Sequence, residues 1–390
     1  MNYRKILLAF VLLFNLFILT GCWDKHELTK IFIVIGMAID KAENEENKIE
    51  LTVYVINTSA SNETGQGNSD KNTESLIFST TCTNVAEGIS IINLNKNRQL
   101  FLQHNKVIIF SEEIGMEGIA DYVNSSIRDN DFRVDNIFLF SNGKAKDILT
   151  AELKGNKSPS EFIYETIGEL RNSSKHYMVN LIDMVNAGSN HNRAILVPIG
   201  KFEKVRDQNE FKFTGLAVIK SGKLINELPF DDFLGYIILA DKVSRASFVS
   251  KNENQKVTYF IRNSRSSKKV KIENDKVSLN VKIELELVIL ELVGFKEITL
   301  EFVEKTLKEM AKEEIKKRIY KTMDEAKNMN SDFFNINSMV YKYHPKKYKL
   351  IEDNWDEVFK NLNLEVEVNV KISNVGQIYE IVDWGGSGEQ

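Results

Sequence analysis

The sequence predicts a mixed α/β (α+β) protein: an exported chain whose mature part forms three mixed-sheet domains with packed helices. Three observations predict it. From residue 76 to 153, short β-rich runs alternate with helical stretches, the pattern of βαβ units. Residues 277–292 and 364–372 alternate apolar with polar side chains, as half-buried strands do. Between them, Val303, Leu307, Met310, Ala311, Ile315, Ile319 and Met323 recur at three- and four-residue steps, which marks the apolar face of a long helix over 300–323.

The N-terminus is an export signal. Arg4 and Lys5 precede an apolar run over 6–19, broken only by Asn15, and the first acidic residue is Asp24. A basic start, an apolar centre and a small-residue end are the three parts of such a signal. The run is shorter than the ~20 residues that span a bilayer. Leu19-Thr20-Gly21-Cys22 resembles the lipobox of bacterial lipoproteins. That implies cleavage between Gly21 and Cys22 and a covalent diacylglycerol on the Cys22 thiol. The competing reading is an uncleaved anchor with an incidental cysteine. Two acyl chains hold firmly, because burial contributes ~0.8 kcal/mol per CH₂ and one chain is marginal. The expected mature chain is residues 22–390, a body tied by lipid to the outer face of a membrane.

Composition narrows the classes. Hydrophobic content of 43% and charged content of 27% suit globular domains with a sizeable core. The formal charge of −4 becomes more negative once Arg4 and Lys5 leave with the signal. A nucleic-acid partner would need a basic face with interleaved aromatics, which is not expected. A mildly acidic body is likewise not expected to hold anionic lipid by charge, so the acyl anchor must do so. With Cys22 consumed by the anchor, Cys82 stands alone, which excludes a disulfide framework and a cysteine metal cluster.

In chain order, residues 31–38 and 49–56 read as a hairpin, and 57–75 as a polar loop. Strands are expected over 76–83, 106–111 and 136–140, and helices over 84–94, 117–126 and 144–153. Ser158 and Glu161 form a candidate capping box for a helix over 160–170, and another helix covers 177–187. The expected domains are 22–194, 195–256 (strands 211–219 and 224–228 about a turn, then a helix over 231–241) and 257–384, with 385–390 as a flexible tail. Residues 262–271 carry Arg262, Arg265, Lys268, Lys269 and Lys271 without an aromatic, which reads as a solvated strand edge. On the long helix, Glu301–Lys305, Glu304–Lys308, Glu313–Lys317 and Glu314–Arg318 are i,i+4 pairs in the favourable order. A final helix is expected over 353–362.

Chemistry is sparse. The five histidines include no helical His-x-x-x-His pair, so no metal site is expected. The chain also lacks a nucleophile elbow and a phosphate-binding loop, so no catalytic residues are assigned. Arg128 and Asp129 with Arg133 form the one polar cluster with an expected interaction role. The alternative is a turn held by local ion pairs.

The chain also resembles a family. Gly21-Cys22-Trp23-Asp24, Glu27-Leu28 and Gly36-Met37-Ala38-Ile39-Asp40-Lys41 look like the start of the Ger(x)C lipoproteins, the C subunits of spore germinant receptors. The likeness continues through Arg98-Gln99-Leu100-Phe101, His104-Asn105-Lys106-Val107, Arg128-Asp129-Asn130-Asp131-Phe132-Arg133 and Gly143-Lys144-Ala145-Lys146-Asp147. Further on it takes in Phe213-Thr214-Gly215-Leu216, Asp332-Phe333, Pro345, Trp355 and Gly376. Phe334-Asn335-Ile336-Asn337 stands where the family has glycines, and Tyr348 where tryptophan is common.

The resemblance implies a non-enzymatic, lipid-anchored subunit of a nutrient-sensing receptor at the spore inner membrane. It implies no cofactor beyond the lipid. It also implies two integral-membrane partners, one transporter-like and one bearing a soluble domain. A lipid-anchored solute-binding protein serving a transporter-like partner is the alternative. An envelope hydrolase is a third reading, which would need converging perturbed side chains in a cleft.

Overall fold

The computed structural model describes residues 3–4, 30–56, 75–129, 131–153, 158–170, 178–243, 246–252, 254–273, 276–295 and 299–374. The expected loop at 57–74 and the tail at 385–390 lie outside them, as do Gly21, Cys22 and Gly376.

The first hairpin forms as its alternation predicts. Strands β1 (Ile31–Lys41) and β2 (Ile49–Ile56) pair antiparallel, and β3 (Ser75–Cys82) pairs with β2. Helix α1 (Val85–Leu94) follows, with the Asn84 side chain accepting from the Glu87 N–H. The Glu87 carboxylate returns to the Thr83 N–H, so both ends of the first turn are satisfied locally. Short β4 (Gln99–Phe101) and then β5 (Val107–Ser111) lie parallel to β1, and β6 (Ile137–Ser141) lies parallel to β5.

β5 is buried throughout because both faces are covered. Ile108 and Phe110 pack toward α1, α2 (Glu112–Glu117), α3 (Ala120–Arg128) and α6 (Leu181–Gly188). Val107 and Ile109 pack toward α4 (Ala145–Leu149) and α5 (Pro159–Leu170). Successive strand residues face opposite ways, so one apolar run serves two cores.

Several expected helices end differently. The stretch 117–126 is two helices, because Gly118 at φ +134° turns the chain between them in a conformation open to glycine. The 144–153 helix stops at Leu149. Ser158 accepts from the Glu161 N–H at 3.3 Å, while Lys106 Nζ reaches the Glu161 carboxylate at 3.4 Å. A reciprocal capping box does exist elsewhere, between Asn180 and Asp183 at the start of α6.

The expected domain boundaries fall inside strands. Residue 195 lies in β7 (Ala194–Val205), which pairs parallel with β6 through Phe140 and Ile199. β7, β8 (Gln208–Lys220) and β9 (Lys223–Pro229) complete one sheet in the order β3-β2-β1-β5-β6-β7-β8-β9. The middle unit is therefore an extension of the first sheet, held by a parallel pairing that has no local signal in sequence. Residue 257 lies in β11 (Gln255–Glu273), which pairs with β10 (Ala246–Asn252) and β12 (Lys276–Val293). β13 (Asn363–Asn374) joins parallel to β12. The described strands thus form two sheets.

α7 (Phe233–Leu239) packs on the long α8 (Lys308–Asn328), which a π-helical turn at Val303–Leu307 precedes and which lies on the second sheet. Val303, Leu307, Ala311, Ile315, Ile319 and Met323 are buried as the periodicity requires, and the second sheet offers them Leu279, Ile283 and Leu287. Glu301–Lys305 and Glu314–Arg318 form their expected i,i+4 pairs, whereas Glu313 pairs with Lys316. The Glu304 side chain lies outside the described set. The expected helix over 353–362 appears as α11 (Trp355–Lys360), preceded by two helices, α9 (Ile336–Tyr343) and α10 (Pro345–Ile351), and followed by β13.

Candidate functional site

Two buried carboxyls organise the molecule. Asp40, at the end of β1, accepts from the N–H groups of Ala145 (2.6 Å) and Lys146 (2.9 Å). These are the first N–H groups of α4, which have no partner within the helix. Burial raises the Asp40 pKa, opposed by those two hydrogen bonds. The Gly36-to-Lys41 and Gly143-to-Asp147 motifs thus meet as a helix and its cap. Gly36 belongs to the same arrangement, since a Cβ there would lie 1.9 Å from Ser160 Oγ.

Asp332 holds the second site, the seam between the sheets. Its carboxyl accepts from the Ile336 and Asn337 N–H groups at 2.9 and 2.7 Å, and its carbonyl accepts from the Ala194 N–H that opens β7. Burial pushes the carboxyl up to about 6, against the pull of those hydrogen bonds and of Arg193. The Trp355 indole N–H lies near enough to favour the charged form but outside strict hydrogen-bond geometry. Asn335 follows at φ +59°, a left-handed turn that glycine adopts freely and asparagine tolerates. That suits an asparagine at this position. Tyr348 is buried against Trp355 and Tyr341. The Asn192 side-chain amide donates to the Tyr348 hydroxyl (3.3 Å) and the Glu352 carbonyl (2.9 Å).

Beside the seam, α3, α6 and the β8–β9 turn enclose an open groove of about 400 Å³. Val123, Ile127, Met184 and Ile219 give it an apolar lining, and His191 and Arg193 stand at its rim. Ile127 is 47% exposed there.

The residues singled out in sequence are dispersed. Arg133 forms a two-point pair with Asp135 (2.8 and 2.9 Å), and the Asp129 carboxylate accepts from the Asp131 N–H. Arg128 ends α3 and lines a shallow polar depression with Asp121 and Asp129. Arg128 and Asp129 thus stay together while Arg133 turns away. Cys82 is buried, and its thiol is pushed up to about 11, so it carries little thiolate. Among the described residues, no three His, Cys, Asp or Glu side chains gather to hold a metal, and no helix is long and apolar enough to cross a membrane. The seam went unread because Asn190, Asn192 and Arg193 resemble any polar loop until Asp332, Asn337 and Tyr348 meet them.

Family models decide the kinship. The N-terminal domain model of spore germination proteins matches residues 24–201, and the "Spore germination B3/ GerAC like, C-terminal" model matches residues 214–376. The chain belongs to the Ger(x)C family. Among its Ger(x)C relatives, spore germination protein KC of Bacillus subtilis (strain 168) is 23% identical, covering 96% of each chain. Spore germination protein B3 of the same organism is 22% identical over 94% of this chain and 97% of its own. The crystal structure of the GerBC protein covers 87% of this chain and 97% of its own, with a TM-score of 0.58 at 17% identity. That likeness shows that the two share a fold. The Ger(x)C family ties the chain to spore germination.

Proposed function

We propose that this chain is a non-enzymatic, lipid-anchored subunit of a spore germinant receptor. It acts through contacts with integral-membrane subunits, one transporter-like and one carrying a soluble domain. One observation carries the reading. The motif residues that mark the family serve the interior: Asp40 caps α4, and Asp332 caps the turn into α9 beside Trp355. Their chemistry is spent on shape, which leaves the outer surfaces to do the work.

The tether in this reading is the diacylglycerol on Cys22. Crosslinking in intact spores, followed by identification of the neighbours, tests it. Recovery of both membrane subunits is the expected result, and their absence from every crosslinked species would refute it. A second reading, capture of a small nutrient, has the α3–α6 groove in its favour. Calorimetry of this chain with amino acids and sugars decides it: saturable heat supports capture, and none across the panel rejects it.

A further inference from the structure

The net negative charge conceals one concentrated exception. From Ile336 to Ile351 the chain has no carboxylate, and it carries Lys342, Lys346, Lys347 and Lys349. The same stretch, α9 and α10, bears three of the most exposed large apolar side chains: Tyr341 (56%), Tyr343 (59%) and Leu350 (76%). In the interior such residues would be packed away. Here they stand among lysines.

The fold adds a second basic element. His344 Nε2 lies 3.2 Å from the Val270 carbonyl, and Lys347 Nζ donates to the Ile272 carbonyl at 2.8 Å. These contacts lay α9 and α10 along the edge of β11 beyond the reach of β10, where Lys269 and Lys271 are exposed. The basic run at 262–271 is solvated at Arg262, Arg265, Lys269 and Lys271, and the stretch that bonds the carbonyls at its end comes from about 70 residues downstream.

We infer that this face, formed by α9, α10 and the adjoining edge of β11, docks on the surface of an anionic lipid bilayer. Two arguments favour a membrane as its occupant. Lysines around exposed tyrosine and leucine match a headgroup region, where cations meet anionic lipid and amphipathic side chains lie at the boundary. The patch also sits at the appropriate end of the molecule. β1, β5, β6 and β7 run parallel, so Ile31 and Ala194 begin their strands at one end of the sheet. Asn192 holds Tyr348 of α10 to that end. Eight residues lie between Cys22 and Ile31, and the nine steps reach no more than about 32 Å, which keeps this end near the bilayer. That second argument rests on the Cys22 tether; the first does not.

The test uses residues 23–390, which retain every strand of both sheets and every helix packed on them, and which lack signal and lipid. Flotation compares vesicles of phosphatidylcholine alone with vesicles of equal parts phosphatidylcholine and phosphatidylglycerol. The expected result is binding to the anionic vesicles only, lost as salt rises. Replacing Lys342, Lys346 and Lys349 together by glutamine should weaken binding about fivefold per lysine, on the order of a hundredfold in all. The matching change of Lys305 in the π-helical turn and Lys312 and Lys316 on α8 should leave it intact, and circular dichroism checks that both variants fold.

Failure of the native chain to bind anionic vesicles overturns the proposal, as does equal binding to neutral ones. Equal losses from the two triple variants would reduce it to net charge and also overturn it. If vesicle binding is absent but the α9–α10 variant loses crosslinks to a membrane subunit in spores, an acidic protein surface is the occupant and the lipid proposal falls. The vesicle outcomes depend neither on receptor membership nor on the anchor.

Discussion

Lys220, at the end of β8 in the first sheet, places its ammonium 2.6 Å from both carboxylate oxygens of Asp356 on α11 and 2.7 Å from the Asn330 carbonyl. One side chain thereby joins the first sheet to α11 and to the chain just after α8. Its side chain is 17% exposed while that of Asp356 is 52% exposed; removing Lys220 takes the donor from both Asp356 and the Asn330 carbonyl, whereas asparagine at 356 leaves the ammonium an amide oxygen and that carbonyl. Lys220→Met should lower stability by about 1–2 kcal/mol, the range for a charge-assisted bond with one solvated partner. Asp356→Asn should cost less. Urea unfolding of the two variants side by side checks the order.

Gly235 sets the approach of α7 to α8. A Cβ there would lie 2.3 Å from Thr322 Oγ1 and 2.5 Å from the Arg318 carbonyl oxygen. Alanine is normally the better helix former by about 1 kcal/mol, yet here it meets backbone that cannot rotate away. Gly235→Ala should therefore destabilise by about 1–3 kcal/mol, as overpacking does. A thermal midpoint at or above that of the native chain would contradict the packing seen here.

Asp40 gives a sharper test of the α4 cap. Asp40→Ala leaves the Ala145 and Lys146 N–H groups buried without an acceptor, at about 1–3 kcal/mol. Asp40→Asn keeps one acceptor oxygen and should lose less. Hydrogen exchange should show faster exchange at 145 and 146 in the alanine variant, ahead of the rest of the sheet.

Asp332 makes stability depend on pH with a definite sign. Burial raises its folded pKa from 3.8 to about 6, so the folded state holds this proton more tightly than the unfolded chain. Its contribution is full below about pH 4 and is lost as pH rises through about 6. The native chain should therefore lose ground against Asp332→Asn between pH 4 and pH 7. Denaturant midpoints across that range read the difference, and an opposite slope would mean that the hydrogen bonds outweigh burial.

At the periphery the expectation is tolerance. Arg133 and Asp135 are both more than half exposed, and solvent screening leaves such pairs little weight in stability. Charge reversal at Arg128 and Arg133 should leave the thermal midpoint unchanged, so any loss of germination would report an interaction. Cys22→Ala should likewise leave the fold intact, abolish lipid labelling and reduce germination through this receptor. Full membrane retention with normal germination would remove the anchor from the proposal.

What the sequence determined alone was local or repeated. A short apolar, β-branched run at 31–38 and alternation at 49–56 and 364–372 specified strands, because a buried strand meets one environment on both faces and a half-buried one meets two. The four-residue steps from Val303 to Met323 specified the buried face of α8, because a helix returns its side chains at that interval. The ordered motifs specified the family, since many weak matches in sequence multiply.

Only the tertiary structure decided the rest. It carried the first sheet through residue 195, assembled the Asp332 seam from two distant stretches, and bonded His344 and Lys347 to the Val270 and Ile272 carbonyls of β11. Parallel pairing and side-chain bonds to remote carbonyls leave no periodic mark on either partner. They come into being only when the hydrophobic faces have closed and brought the two stretches together.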